Sequence, residues 1–284
     1  MRCTNTDVLD LRPRAARQRS LWFAGVIGTC LTISAVAAAA QTVKDTVPAA
    51  RDSLPIDPKA MAALKNMGGY LRTLQDFTIK GEGTREEVLS NGEKIQFGGT
   101  IDYAVKRPDR MKVVMNTDRK ERTIYYDGKT MTIYAPRMKY YATVPAPPTI
   151  GAMLDSARYR YSLDMPVVDL FLWGTPRDGT KDITAAKYIG PAKINGVVTD
   201  QYAFRQKDVD WQLWVEPGDK PLPRKLVITT KTEPERPEYA ITLDWNLSPN
   251  LDDKMFTFEP PKDAKKIDML AALPPGERRP ARKP

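Results

Sequence analysis

Residues 124–136 read IYYDGKTMTIYAP, a stretch that is typical of a β-hairpin. Asp127-Gly128 at its centre is a dipeptide that tight turns favour, because glycine adopts positive φ at no steric cost. Tyrosine, isoleucine, methionine and threonine flank the turn, and these residues suit a pleated, half-buried surface. The stretch therefore predicts two antiparallel strands and raises the question of what their apolar face covers.

The spacing of the hairpin predicts which side chains face inward. A two-residue turn at Asp127-Gly128 would pair Ile124 with Met131, and Ile133 would share their face of the sheet. Tyr134, in the second strand of the hairpin, would then point to the opposite face of the sheet. A register slipped by one residue would instead turn tyrosines inward. We expect the first register, in which Met131 and Ile133 lie on the concave face of the sheet beside Met111, Val113 and Met115.

The same alternation of apolar and polar residues recurs along most of the chain and predicts many short strands. Dipeptides of the Asn-Gly and Asp-Gly type separate several of them, so consecutive strands are expected to form an antiparallel meander. The predicted strands lie around residues 77–79, 88–89, 95–97, 101–105, 111–115, 124–126, 131–134, 140–141, 186–189, 197–204, 211–215, 225–230, 239–245 and 255–258.

Two segments have helical rather than strand periodicity. The first covers 57–74, where Asp57 is a suitable N-cap and Pro58 a suitable first residue. The second, 149–172, interrupts the strands and contains two short helices. We therefore predict a mainly β protein with a helical lid (α+β). We expect a single curved antiparallel sheet whose concave face both helical segments contact.

The first forty residues are typical of a secretory signal peptide. A basic segment precedes an apolar run, and the run ends in Ala38-Ala39-Ala40 before Gln41. A retained membrane anchor is the alternative, because the apolar run is near the roughly 20 residues that span a bilayer. The remaining chain is predicted to consist of a linker at 41–56, one folded domain at 57–270 and a disordered basic tail at 271–284.

Cleavage would leave the mature chain with neither cysteine nor histidine. Both cysteines, Cys3 and Cys30, lie in the predicted signal peptide, and the chain contains no histidine. Thiolate and imidazole metal sites, disulfides and Ser-His-Asp triads would then be excluded from the mature chain. Asp208 and Asp210 are typical of solvated turn residues. We therefore expect no catalytic residue, no metal and no cofactor. The formal net charge falls from +9 to +6, with acidic and basic residues mixed, which does not favour nucleic-acid binding.

The strongest candidate for function is the apolar face itself. Only about two short helices are available to cover roughly ten strands, and this shortage suggests that the concave face encloses a cavity. A packed core is the alternative for each residue taken singly. The candidate ligand-binding residues are Tyr103, Val105, Met111, Val113, Met115, Met131, Ile133, Met153, Leu154, Leu170, Phe171, Trp211, Leu213, Ile241, Leu243 and Trp245.

Several turn and strand signatures over residues 59–262 carry a family resemblance. They are Tyr126-Asp127-Gly128-Lys129 followed by Tyr134, Pro136 and Lys139-Tyr140, and later Trp211 and Trp214 followed by Pro221-Leu222-Pro223 and Lys225. This arrangement resembles predicted periplasmic bacterial proteins catalogued as domain of unknown function 2092, within the lipoprotein-carrier (LolA/LolB-like) superfamily.

The resemblance implies that residues 57–270 form a half-barrel in the periplasm, in which a strongly curved antiparallel sheet makes an unclosed barrel with helices on its concave face. It also implies a non-enzymatic role in binding a lipid or the acyl chain of a lipoprotein. The alternative is an envelope scaffold or stress sensor with a filled core that acts through a partner protein. A transient contact with a membrane surface fits either role, whereas an enzyme that uses carboxylates or tyrosines is the least favoured reading. The arginine by which the lipoprotein carrier holds its lid has no match among the motifs.

The predicted signal peptide can be tested on the exported protein. We expect a mature chain that begins at or near Gln41 and carries no thiol, because both cysteines are removed with the leader. N-terminal sequencing and a thiol titration measure this directly. An intact Met1, or an acylated Cys30, would contradict the prediction.

Overall fold

The structure is a computed structural model that describes residues 55–163 and 165–271. The predicted signal peptide, most of the predicted linker and all but the first residue of the predicted tail lie outside these residues. Within them, no helix is both long and apolar enough to cross a lipid bilayer.

Twelve strands of the described chain form one sheet, in the order β12-β6-β5-β4-β3-β2-β1-β11-β10-β9-β8-β7. Every neighbouring pair is antiparallel except β12 and β6. Two meanders, β1 to β6 and β7 to β11, therefore meet where β1 pairs with β11. The strands are β1 (Asp76–Val88), β2 (Lys94–Lys106), β3 (Arg110–Thr117), β4 (Glu121–Tyr126), β5 (Thr130–Ala135), β6 (Tyr140–Pro145), β7 (Ala185–Ile194), β8 (Val197–Arg205), β9 (Val209–Val215), β10 (Pro223–Thr230), β11 (Glu238–Asn246) and β12 (Lys265–Lys266).

The helices lie where the sequence predicts them. Helix α1 (Pro58–Thr73) begins after Asp57, whose carboxylate accepts a hydrogen bond from Lys59 N at 2.8 Å. The segment between β6 and β7 contains α2 (Ile150–Asp155), a π-helical turn (Ser156–Arg160) and α3 (Asp169–Leu172). We call residues 149–172 the helical insertion.

One face of the sheet, which we call the inner face, packs against α1 and the helical insertion. Val144 of β6 and Tyr202 of β8 lie near opposite ends of the strand order, yet both belong to the same buried cluster as the helices. The sheet must therefore curve around this cluster, but its edge strands β7 and β12 do not pair with each other. The predicted single, curved and unclosed sheet with helices on its concave face is confirmed.

The opening hairpin confirms the predicted faces but not the predicted register. Tyr126 pairs with Met131 and Ile124 pairs with Ile133, two residues away from the expected partners. The turn is centred on Gly128 and Lys129, because Asp127 N donates to Thr130 O. Since the shift is an even number of residues, Met131 still lies on the inner face and is 1% exposed.

The Asp127 side chain explains the shifted turn. Its Oδ1 accepts hydrogen bonds from Lys129 N at 2.9 Å and from Thr130 N at 2.7 Å. Burial raises the pKa of this carboxyl, but the hydrogen bonds from Thr130 and Lys129 outweigh burial and bring the pKa below its ordinary value. Asp127 is thus the residue before the turn rather than its first central residue.

The predicted strand at 255–258 is wrong. Residues Asp253–Phe256 form a 3₁₀-helix, which Asp252 begins by accepting a hydrogen bond from Lys254 N. Phe258 then packs on the outer face of the sheet, where its ring lies 5.3 Å from the ring of Tyr134. The chain leaves the sheet here to cover outward-facing tyrosines instead of adding a strand.

Helix α1 and the chain just after the helical insertion approach each other through glycine. A Cβ atom added to Gly68 would lie 2.6 Å from the backbone N of Gly174, a distance that real Cβ contacts do not show. Arg72 Nη1 strengthens this contact by donating to Gly174 O at 2.9 Å. The neighbouring Gly69 has no atom within 4 Å of its own hypothetical Cβ.

These two glycines provide a matched test of the docked helices. Gly68→Ala should lower the free energy of unfolding by about 1–3 kcal/mol, because the added methyl group forces α1 away from Gly174. Gly69→Ala should instead raise it by roughly 0.5–1 kcal/mol through helix propensity. Urea unfolding of both variants measures the difference. Equal changes at the two positions would contradict the close approach.

Candidate functional site

The structure brings the sixteen predicted ligand-binding residues together on the inner face and on the helical segments that cover it. All of them belong to one apolar cluster or pack against it. Fourteen are buried, and Ile133 and Trp245 are partly buried. Their shared position follows from strand alternation, because inner-face residues on neighbouring strands lie side by side. Their role in binding a ligand stays a prediction.

Two tyrosine hydroxyls tie the inner face to the segment that covers it. Tyr103 OH donates to the carbonyl oxygen of Pro166 in the helical insertion, at 2.5 Å. Tyr126 OH donates to the carbonyl oxygen of Pro147, just before the insertion, at 2.5 Å. Burial raises the pKa of both tyrosines, that of Tyr126 to about 12. Both hydroxyls are therefore neutral donors throughout the physiological pH range.

Aromatic rings hold helix α3 against the sheet. The Phe171 ring lies 5.6 Å from that of Tyr103 and 6.5 Å from that of Phe77, and Phe77 in turn contacts Trp245 at 5.6 Å. Such ring pairs contribute about 0.5–1.5 kcal/mol each beyond the area that they bury. Helix α3 has four residues, so these contacts rather than its own hydrogen bonds keep it in place.

The backbone of the helical insertion is strained at two points. Ser162 and Val167 have φ angles of 52° and 51°, in the left-handed region. A β-branched residue such as valine rarely adopts this conformation, which costs on the order of 1–3 kcal/mol. The insertion therefore covers the inner face in a conformation that its packing, and not its local preference, maintains.

A small, mainly apolar cavity is lined by residues of the helical insertion and by Arg177. Its volume is about 220 Å³, below the roughly 300–1,000 Å³ of ordinary ligand pockets. Leu154 and Met165 belong both to its wall and to the buried cluster, so the cavity borders the core. Arg177 at its rim pairs with Asp155. The lining residues are Leu154, Asp155, Arg158, Tyr159, Leu163, Met165, Val168, Leu172 and Arg177.

A wider groove of about 720 Å³ lies on the outer face of the sheet, and the sequence analysis missed it. Outward-facing residues of β1 and β2, among them Glu82, Thr84 and Thr100, line it. The polar residues that alternate with the apolar ones along these strands were the available signal. Threonine, asparagine and oppositely charged residues line the rest, and Asp118 is engaged by Gly98 N at 2.7 Å. Most residues that line the groove are thus polar or charged.

The carboxylate pair that the sequence analysis weighed does not form an acid–base site. Burial raises the pKa of Asp210, but hydrogen bonds from Lys231, Arg236 and Arg205 outweigh burial and bring the pKa below its ordinary value. An ionised carboxylate held by three cations is unsuited to act as a general acid. In the described chain, no group of three or more acidic, histidine or cysteine side chains is placed to hold a metal ion.

Comparison with known proteins identifies the family. The model of the predicted periplasmic proteins of domain of unknown function 2092 matches residues 60–270. The chain belongs to this family. No curated protein matches the sequence.

Several solved structures align with this family member at low sequence identity. The lipoprotein LppX of Mycobacterium tuberculosis aligns with 12% identity, a TM-score of 0.43, and coverage of 69% of this chain and 100% of its own. An uncharacterised conserved protein of Thermus thermophilus aligns with 10% identity, a TM-score of 0.43, and coverage of 74% and 99%. A LolA superfamily protein of Nitrosomonas europaea aligns with 11% identity, a TM-score of 0.32, and coverage of 70% and 97%.

The tyrosine contact with the insertion can be tested by removing a single oxygen atom. Tyr103→Phe should lower the free energy of unfolding by about 1–3 kcal/mol, because it leaves the carbonyl of Pro166 without its donor. Tyr134→Phe is the control, since no described residue forms a hydrogen bond with the Tyr134 hydroxyl. Urea unfolding compares the two variants. A Tyr103→Phe protein as stable as the control would show that this hydrogen bond does not hold the insertion.

Proposed function

We propose that this chain is an exported, non-enzymatic periplasmic protein that binds the acyl chain of a lipid or lipoprotein. The ligand occupies the inner face beneath the helical insertion, after cleavage of a signal peptide at residues 1–40. The family, whose description is that of predicted periplasmic proteins, supports the location. The observation that carries the proposal is the cover itself. It is a short, strained segment over an extended apolar face, and it already encloses an apolar cavity.

Binding requires the insertion to move, because the cavity of about 220 Å³ is too small for a whole lipid. Lifting α3 would open the cavity toward Phe171 and the inner-face residues below it. Each buried CH₂ group contributes about 0.8 kcal/mol, so a twelve-carbon chain offers roughly 9 kcal/mol before costs. The loss of contacts made by α3 opposes this gain, whereas the release of strain at Ser162 and Val167 favours it.

Methionine side chains make the inner face adaptable. Met111, Met131 and Met153 are each at most 1% exposed, and all three belong to the buried cluster that the sheet and the insertion share. Methionine is unbranched and changes rotamer readily, so it can repack around an irregular apolar guest. The site residues predicted from the sequence would therefore line an induced pocket rather than a preformed one.

A second function has support from the same packing. Met111, Val113 and Met131 of the inner face are each at most 1% exposed, which supports a core filled by its own side chains. A filled core favours an envelope scaffold or sensor that acts through its surface on a partner protein. The two functions differ in whether lipid accompanies the protein.

Native mass spectrometry of protein isolated from the periplasm tests the proposal. Wild-type protein should carry lipid, and Val168→Trp should carry less, because the indole fills the cavity within the insertion. Val198→Trp, on an exposed position of β8, is the matched control and should carry as much as wild type. Reproducible absence of lipid from the wild type, with no uptake of added dodecanoate, would contradict lipid binding and favour the scaffold.

A further inference from the structure

Arg107 is a cation without a counter-ion at the border of the inner face. It follows the last residue of β2, and its Nε atom is buried with no hydrogen-bond partner in the described chain. No carboxylate of the described residues lies within ion-pair distance of its guanidinium. Arg224 shows the usual arrangement, because its Nε lies 2.7 Å from Glu216 Oε1. Arg107 differs from this arrangement because its Nε atom is buried without an acidic partner.

The surroundings of Arg107 are apolar and positive. Its Cζ lies 5.9 Å from the ring centres of both Phe77 and Phe171, so two aromatic faces flank the guanidinium. Arg72, in the last turn of α1, is a positively charged neighbour of Arg107. Burial and the charge of Arg72 together lower the pKa of Arg107 from its ordinary value. Both effects oppose the charged form that an arginine nevertheless keeps.

The acidic residue of α3 does not compensate this charge. Burial raises the pKa of Asp169, and the cation that partly offsets this is Arg158 rather than Arg107. A guanidinium that is half buried without an anion destabilises the folded protein unless a ligand supplies one. Its planar fork of N–H donors matches a carboxylate or a phosphate group.

The position of Arg107 connects this charge with the proposed acyl site. Phe171, which contacts the guanidinium, and Leu172, which lines the cavity, are consecutive residues of α3. The cation and the apolar cavity therefore flank the same short helix. Displacement of α3 would join them into one site with an apolar interior and a positive end.

We propose that Arg107, assisted by Arg72, binds the anionic headgroup of the acyl ligand, so that the ligand class is an acyl chain with a carboxylate or phosphate group. This inference rests on the proposed lipid binding and narrows it. Phe77 and Phe171 contact the part of the chain nearest the headgroup, and the cavity receives the chain beyond it. A neutral lipid of the same length lacks the group that Arg107 requires.

Equilibrium binding of two twelve-carbon probes tests the headgroup contact. Dodecanoate should bind the full-length mature protein at least tenfold more tightly than dodecanol. Arg107→Met should abolish this preference and leave dodecanol binding unchanged, whereas Arg107→Lys should keep part of it. Inorganic phosphate is the third probe and should bind far more weakly than dodecanoate, because it lacks the chain.

Arg110→Met is the matched control for the loss of an arginine. The Arg110 Nη1 atom already lies 3.0 Å from Asp109 Oδ2, so this variant should keep the preference for dodecanoate. Thermal unfolding provides the folding control. Arg107→Met should melt no lower than wild type, because it removes a cation that has no partner in the unliganded protein. A clearly lower Tm would assign Arg107 a structural role and overturn the inference.

The remaining outcomes separate the inference from the function on which it rests. If dodecanoate and dodecanol bind equally, or if Arg107→Met keeps the preference, the headgroup assignment is wrong and acyl binding stands. If neither probe binds, both proposals fail. If inorganic phosphate binds in an Arg107-dependent way and dodecanoate does not, the site takes a free anion and the lipid assignment is wrong.

Discussion

The need to cover one apolar face of an open sheet governs this structure. Twelve strands of the described chain present a continuous inner face, and α1, α2 and α3 together contribute few residues to cover it. The chain meets this need with close approaches and anchors rather than with helix length. Gly68 meets Gly174 backbone to backbone, and Tyr103 reaches the carbonyl of Pro166. The cover is therefore complete, but it depends on a few contacts.

Strand alternation made the faces of the sheet predictable, whereas local hydrogen bonds decided the registers. Met131 was expected on the inner face and lies there, since a shift of two residues preserves the face. The register itself depends on which residues the Asp127 carboxylate binds, and the Asp-Gly dipeptide alone does not show this. The residues around Phe256 alternate as a strand would, yet Asp252 caps a 3₁₀-helix there. For a short alternating run, tertiary contacts decide whether it forms a strand or a helical turn.

The residues that form the candidate site were predictable from the sequence, but whether the site is open or filled was not. Inner-face residues such as Val105 and Leu213 follow from alternation. Whether they enclose a cavity depends on how α3 packs against the sheet. The contact between the rings of Phe171 and Tyr103 determines this packing, and the sequence does not show that contact. Arg107 could not be singled out, because an arginine after a strand reads as a surface residue. Only the fold shows that Arg107 is partly buried without an acidic partner. This arrangement lowers the stability of the folded protein next to the proposed binding site.

The central claim is that the helical insertion opens while the sheet and α1 stay intact. Hydrogen exchange of backbone amides, followed by mass spectrometry with and without dodecanoate, measures this most directly. We expect peptides from residues 150–172 to exchange much faster than those of β1 to β3 and of α1. Dodecanoate should change the exchange of the insertion and of Arg107, with little change elsewhere. An insertion that exchanges as slowly as the central strands, and does not respond to dodecanoate, would contradict the claim.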